Sequence, residues 1–319
     1  MTTSASAAAP PAPGSVKKWV LGARPRTLPA AVVPVLVGTA IAQAHVAHRL
    51  PATSWWRALG ALVVALAIQV GTNYANDYSD GIRGTDDVRV GPIRLVASDL
   101  ASPGSVKRAA FLAFGVAGAV GLWLAAVTSW WVLLVGAACL AAGWFYTGGP
   151  RPYGYAGFGE LFVFVFFGLV ATEGTYYVQT DHLGGWVVLS AAVAVGLLAT
   201  ALLLANNLRD IETDRQSGKR TLAASIGRQS GGRCYVAAVL LPFAGVVAWG
   251  ILSVTGTVSS RFPGIAFLPL LALPFALPPV RTVRSDANGR ALLPVLAGTG
   301  RLQLAFGVLL SVALFWWVV

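Results

Sequence analysis

A chain of 319 residues with 56% hydrophobic and only 11% charged side chains cannot cover itself with a water-facing surface, since soluble domains carry about 25% charged residues. A mean hydropathy of +0.70 makes a lipid bilayer the expected solvent. The net charge of +11 then reads as cations held on one membrane face rather than as a nucleic-acid surface.

Residues 1–15 are Ala, Ser, Thr, Pro and Gly after the first Met, with no charged side chain. That composition reads as a disordered tail over 1–16. It lacks a basic stretch ahead of an apolar core, so no signal peptide is expected. Residues 17–319 are expected to form one transmembrane domain.

A spanning helix needs roughly 20 apolar residues. Nine candidates follow in chain order: about 28–44, 58–79, 108–127, 130–147, 158–178, 185–208, 234–254, 263–281 and 299–319. The expected fold is therefore all-α and polytopic, with nine transmembrane helices. With the N-terminus in the cytoplasm, the outer segments keep only Arg49, Arg57 and Arg261 of the 23 lysines and arginines. That asymmetry satisfies the positive-inside rule and places the protein in the cell membrane. The cations are also spread over five segments rather than one reading module, which argues against a nucleic-acid partner. Trp19, Trp55, Trp56, Trp130, Trp131, Trp316 and Trp317 sit near helix ends as an interfacial belt. Cys139 and Cys234 lie in or beside apolar runs and read as small buried hydrophobes.

The acids are concentrated. All but Glu160, Glu173, Asp181 and Asp286 of the twelve fall in two segments. The first runs from Asn73 through Asp77, Asp80, Arg83, Asp86 and Asp87 to Arg94 and Asp99. The second runs from Asn206 through Asp210, Glu212, Asp214 and Arg215 to Lys219 and Arg220. Both lie at the cytoplasmic end of an even-numbered span. Residues three and four apart share a helix face. Asn73, Asp77 and Asp80 are therefore expected on one stripe, and Asn206, Asp210 and Asp214 on another. Like charges on one face repel unless a cation lies between them. Hard oxygen ligands of this kind suit Mg²⁺, which takes a few carboxylates plus phosphate oxygens. The trailing Arg83, Arg94, Arg215, Lys219 and Arg220 suit anionic oxygens. Together the two segments have the composition of a metal–diphosphate site. The Asn-x-x-x-Asp element recurs 133 residues apart, which hints at duplication of a four-helix unit.

These two motifs resemble those of the UbiA superfamily of intramembrane prenyltransferases. The likeness extends over nearly the whole chain after residue 17. It is carried further by Arg24–Pro29, Gly91–Ser98, Tyr146–Pro152, Gly157–Glu160 and Gly218–Leu222. Those stretches are most similar to the branch that prenylates 1,4-dihydroxy-2-naphthoate. The resemblance implies nine helices around a central cavity and two Mg²⁺ ions bridging the motifs and a polyprenyl diphosphate. It implies Asp77, Asp80, Asp210 and Asp214 as metal ligands, with Asp86 as a further candidate. Asn73 and Asn206 would orient the carboxylates or donate to phosphate oxygens. Arg83, Arg94, Lys219 and Arg220 would clamp the diphosphate. The face of Tyr146 or of another cavity aromatic would stabilise the allylic cation, and Arg24 or another cation near the cavity would hold the acceptor carboxylate. The prenyl tail would leave between helices into membrane lipid. The implied reaction is Mg²⁺-dependent prenyl transfer with decarboxylation, giving demethylmenaquinone. Two alternatives stay open: another aromatic acceptor such as 4-hydroxybenzoate, and a secondary transporter, whose sites usually lie at the bilayer midplane.

Overall fold

The computed structural model describes residues 14–46, 55–85, 91, 93–258 and 262–318. Most of the expected tail lies outside them. Helix α1 (Ser15–Gly22) is followed by α2 (Pro29–Val46), α3 (Trp55–Ile82), α4 (Pro103–Val127) and α5 (Trp131–Phe145). Then come α6 (Gly159–Val163), α7 (Ala171–Thr180), α8 (Trp186–Arg209), α9 (Ile211–Gln216), α10 (Leu222–Val254), α11 (Leu273–Arg284) and α12 (Leu293–Val318). No strand occurs among the described residues. A π-helical turn, Phe164–Val170, fuses α6 and α7 into one span, Gly159–Thr180.

Among the described residues, seven helices are long and apolar enough to cross a membrane. The bent pair Ser15–Thr27 and Pro29–His45, kinked by 55°, brings the number to eight. The remaining expected span is α5. It is apolar, but its 15 residues rise only about 22 Å at ~1.5 Å each, short of the ~30 Å hydrocarbon core. The nine expected spans thus correspond to seven long helices, one bent pair and one short apolar helix. The shortening has a local cause. After Phe145 the chain meets Gly148, Gly149 and Pro150, and Gly149 takes φ +74°, which ends a helix.

Leu112, Leu134, Leu241 and Leu271 are each more than half exposed, as suits a lipid-facing surface. Inside, one buried cluster joins α2, α8, α10, α11 and α12 through Val33, Leu198, Tyr235, Ala276 and Phe306. A smaller one joins α3 and α4 through Tyr74, Ala75, Ala110 and Phe114, with Leu95 from the connecting loop. Close packing is explicit at Gly168 and Gly196. A Cβ on Gly168 would lie 2.5 Å from the Gly196 Cα, so only glycine lets α8 and the π turn touch.

Polar contacts mark the two ends of the bundle. At one end Arg83 donates to the Thr147 and Gly149 carbonyls, and Arg228 to those of Val283 and Ala287. At the other, Arg57 bonds Val127, Val178 and Asp181. The acid-rich ends of α3 and α8 both belong to the first set. Helix α3 packs chiefly on α4 and α8 on α10, a matching partner in each half.

Candidate active site

A chamber of about 920 Å³ is lined by residues of α2, α3, α4, α5, α7 and α8. Its polar end carries Asp80, Arg94, Asp210, Asp214 and Lys219; its far end reaches Trp131 and Leu183. The wall between them is mostly aliphatic and aromatic, including Val64, Ile68, Phe166, Phe167 and Leu202.

Asp80 sits near the C-terminus of α3 and is 2% exposed. A buried carboxylate needs counter-charge and hydrogen bonds, and Asp80 has both. Tyr155 donates its hydroxyl to Oδ1 at 2.6 Å. Lys219 Nζ lies 3.1 Å from Oδ2 and Arg94 Nη2 3.6 Å from it. The Lys219 ammonium also stands 4.7 Å from the centre of the Tyr155 ring. Residues far apart in sequence therefore converge on one carboxylate. The Lys219–Asp80 contact joins the two acid-rich segments directly.

In the second segment α8 ends at Arg209 and α9 starts at Ile211, with Asp210 at the break (φ −97°, ψ 8°). The Asp214 N–H still reaches the Asp210 carbonyl at 2.8 Å, so the helical register carries across. Asn206, Asp210 and Asp214 consequently all line the chamber, as their spacing predicts. Asp210 is gripped by a fork from Arg209, Nε to Oδ1 at 2.7 Å and Nη2 to Oδ2 at 2.6 Å. Asp214 Oδ2 accepts from Thr221 Oγ1 at 3.0 Å. The same hydroxyl caps α10 by accepting from the Ala224 N–H. Asn206 donates back to the Leu202 carbonyl at 3.4 Å.

On α3 the expected stripe is rotated. The carboxamide and carboxylate side chains of α3 that line the chamber are Gln69, Asn73, Asn76 and Asp80, at i, i+4, i+7 and i+11. Asp77 is wholly buried on the adjoining flank. Its two oxygens accept the Leu95 and Val96 N–H groups at 2.8 and 3.0 Å. Asp77 thus holds the loop that carries Arg94. Asn73 donates to the Ala23 carbonyl and to Thr27, tying α3 to the kink before α2. Asn76 accepts from Thr147 at 2.8 Å.

The remaining expected residues divide. Arg24 lines the chamber from a left-handed backbone (φ +53°), and its Nη2 is buried without a hydrogen-bond partner among the described residues. Tyr146 lines it too. It begins an aromatic ladder: Tyr146 to Tyr153 at 5.5 Å, Tyr153 to Phe162 at 4.0 Å and Phe162 to Phe166 at 5.9 Å between ring centres. Arg83 and Arg220 do not line the chamber. Arg83 pins the turn after α5, and the Arg220 N–H bonds the Tyr155 carbonyl at 3.0 Å. Asp86 lies outside the described residues. Tyr155, Asn76, Arg209 and Thr221 had no distinctive spacing to mark them.

The donor set fits Mg²⁺. Among the described residues no three His, Cys, Asp or Glu side chains group to hold a metal unaided. Mg²⁺ does not require that, because it keeps waters and uses one or two carboxylates plus phosphate oxygens. Asp80, Asp210 and Asp214, with Asn amides beside them, offer only hard oxygens from the acids and anion-binding cations around them.

Fold and site together define a polytopic membrane protein whose helices enclose a chamber ending in paired acidic segments. The UbiA prenyltransferase family model matches residues 31–277, and the chain belongs to that family. It is 48% identical over 300 residues to a 1,4-dihydroxy-2-naphthoate octaprenyltransferase of Mycobacterium tuberculosis, covering 94% of this chain and 97% of the relative. The Escherichia coli protein of the same name is 32% identical, with 93% and 94% covered. In fold it is similar to a UbiA homologue from Archaeoglobus fulgidus solved with DMAPP and Mg²⁺, at a TM-score of 0.62 and 15% identity, covering 93% of this chain and 99% of that one.

Proposed function

We propose that the protein transfers a polyprenyl group from polyprenyl diphosphate to 1,4-dihydroxy-2-naphthoate, with loss of CO₂, in menaquinone biosynthesis. The observation that carries this reading is the meeting of the two acid-rich segments through Lys219 and Asp80, 3.1 Å apart, at the polar end of an apolar chamber. The names of relatives up to 48% identical along nearly the whole chain support the acceptor. The concentration of cations at that end supports an active site on the cytoplasmic side of the cell membrane.

Mg²⁺ bound here would act as a Lewis acid that lowers the charge of the departing diphosphate. Asp80, Asp210 and Asp214 hold the metal positions in this reading, and Arg94 and Lys219 face the diphosphate oxygens. As the allylic C–O bond breaks, its electron pair leaves with the diphosphate. The Tyr146–Phe166 ladder lines the chamber, and its π-electrons stabilise the allylic cation in this reading. The apolar wall keeps water from it. The naphthoate carbon bearing the carboxylate then forms the new C–C bond. Loss of CO₂ from that carbon restores the aromatic ring and gives the prenylated naphthoquinol, the two-electron-reduced form of demethylmenaquinone. The Arg24 guanidinium, whose Nη2 is buried without a partner among the described residues, offers a carboxylate partner for the acceptor.

The test is an acceptor panel. Purified protein, Mg²⁺ and one long prenyl diphosphate are incubated with 1,4-dihydroxy-2-naphthoate or 4-hydroxybenzoate, and the lipid products are weighed by mass spectrometry. Decarboxylated prenyl-naphthoquinol is the expected product. A product from 4-hydroxybenzoate alone, or flux in proteoliposomes without any covalent change, would refute the assignment.

A further inference from the structure

We infer that Lys219 is an exchangeable internal cation: it neutralises Asp80 until a divalent cation takes that carboxylate, and then passes to the diphosphate. This rests on the reading of the chamber as a metal–diphosphate site. Asp80 Oδ2 faces two cations, Lys219 at 3.1 Å and Arg94 at 3.6 Å. A divalent ion on the same oxygen at about 2.1 Å would lie against the ammonium in a poorly screened setting, where like charges repel strongly.

The two cations differ in freedom. Arg94 is buried, and the Leu95 and Val96 amides that follow it are held by Asp77. Its loop is fixed. Lys219 hangs on a flexible four-carbon stem over the Tyr155 ring, 4.7 Å from its centre. That face gives the ammonium a resting place close to Asp80. The Lys219 backbone is anchored, its N–H bonding the Asp214 carbonyl at 2.8 Å. The side chain is therefore the part of Lys219 left to move.

The consequence is coupling between ligands. A divalent cation arriving alone must displace Lys219 with no anion to receive it. A diphosphate arriving alone draws Lys219 away and meets Asp80 charged and less screened. Each ligand relieves the cost of the other, so they bind cooperatively.

The test measures binding by calorimetry on the full chain in detergent: Mg²⁺ alone, then geranyl diphosphate at saturating Mg²⁺. Lys219→Gln is expected to bind Mg²⁺ alone about tenfold tighter than the unmodified protein, and geranyl diphosphate about tenfold weaker. Lys219→Arg, which keeps the charge, is expected to stay near the unmodified protein in both. Unchanged or weaker Mg²⁺ binding by Lys219→Gln overturns the exchange, as does loss of both ligands together. If the unmodified protein binds neither Mg²⁺ nor geranyl diphosphate, the reading of the site itself fails.

Discussion

Tyr155 donates to Asp80 at 2.6 Å. Burial first, and the Asp80 charge second, push its phenol well above the ordinary value. A raised phenol pKa keeps the neutral donor form to higher pH. The Tyr155–Asp80 hydrogen bond is therefore expected to persist through pH 10, so this group adds no alkaline limb to a pH–rate profile below that. Tyr155→Phe should lower kcat/KM by about 10–150-fold, the ~1.5–3 kcal/mol of a hydrogen bond to a charged group, with a near-normal unfolding midpoint. Asp77 and Asp80 separate in the same way. Asp80→Asn should leave a folded protein that lacks Mg²⁺-dependent transfer, a loss of about 10²-fold or more. Asp77→Asn turns an amide against the Leu95 and Val96 N–H groups. It should also destabilise the fold by about 1–3 kcal/mol, seen as a lower midpoint in thermal unfolding. These side-chain roles were only partly legible in sequence. Spacing placed both aspartates on α3, but i+4 and i+7 neighbours of Asn73 diverge around a helix, and the loop bearing Leu95 draws one of them aside.

At the scale of elements, the span Gly159–Thr180 carries a π turn over Phe164–Val170. The turn brings Phe166 and Phe167 to the chamber wall while Gly168 meets Gly196. Single π turns inside α-helices are frequent at functional sites. Gly168→Val should force α8 away from this turn and destabilise the protein by about 1–3 kcal/mol. Prenyl transfer should fall with it. Thermal unfolding in detergent alongside turnover checks both. The apolar run over 158–178 made the span legible. The π turn was not, because its hydrogen-bond register depends on the neighbouring helix pressing at Gly196. Helix α5 shows the converse. Composition alone allowed a span from about 130 to 147, whereas the glycines and proline after Phe145 close it at 15 residues.

For the whole molecule, alternation of spans predicts which loops share a side. In a background with Cys139 and Cys234 replaced by Ser, Ser285→Cys should react with an impermeant maleimide only from the cytoplasm. Thr257→Cys should react only from outside. The reverse pattern would invert the proposed orientation. What the chain determined by itself is the class of the protein: a bilayer solvent, apolar helices in order and two Asn-led acidic segments. Hydropathy and charge are carried locally, so they survive without knowledge of packing. Tertiary structure decided which carboxylates enter the chamber, and that Tyr155 and Lys219 meet at Asp80. Those outcomes depend on rotation about helix axes and on loops more than 60 residues apart in the chain, such as Asp80 with Tyr155, and only the packed bundle sets them.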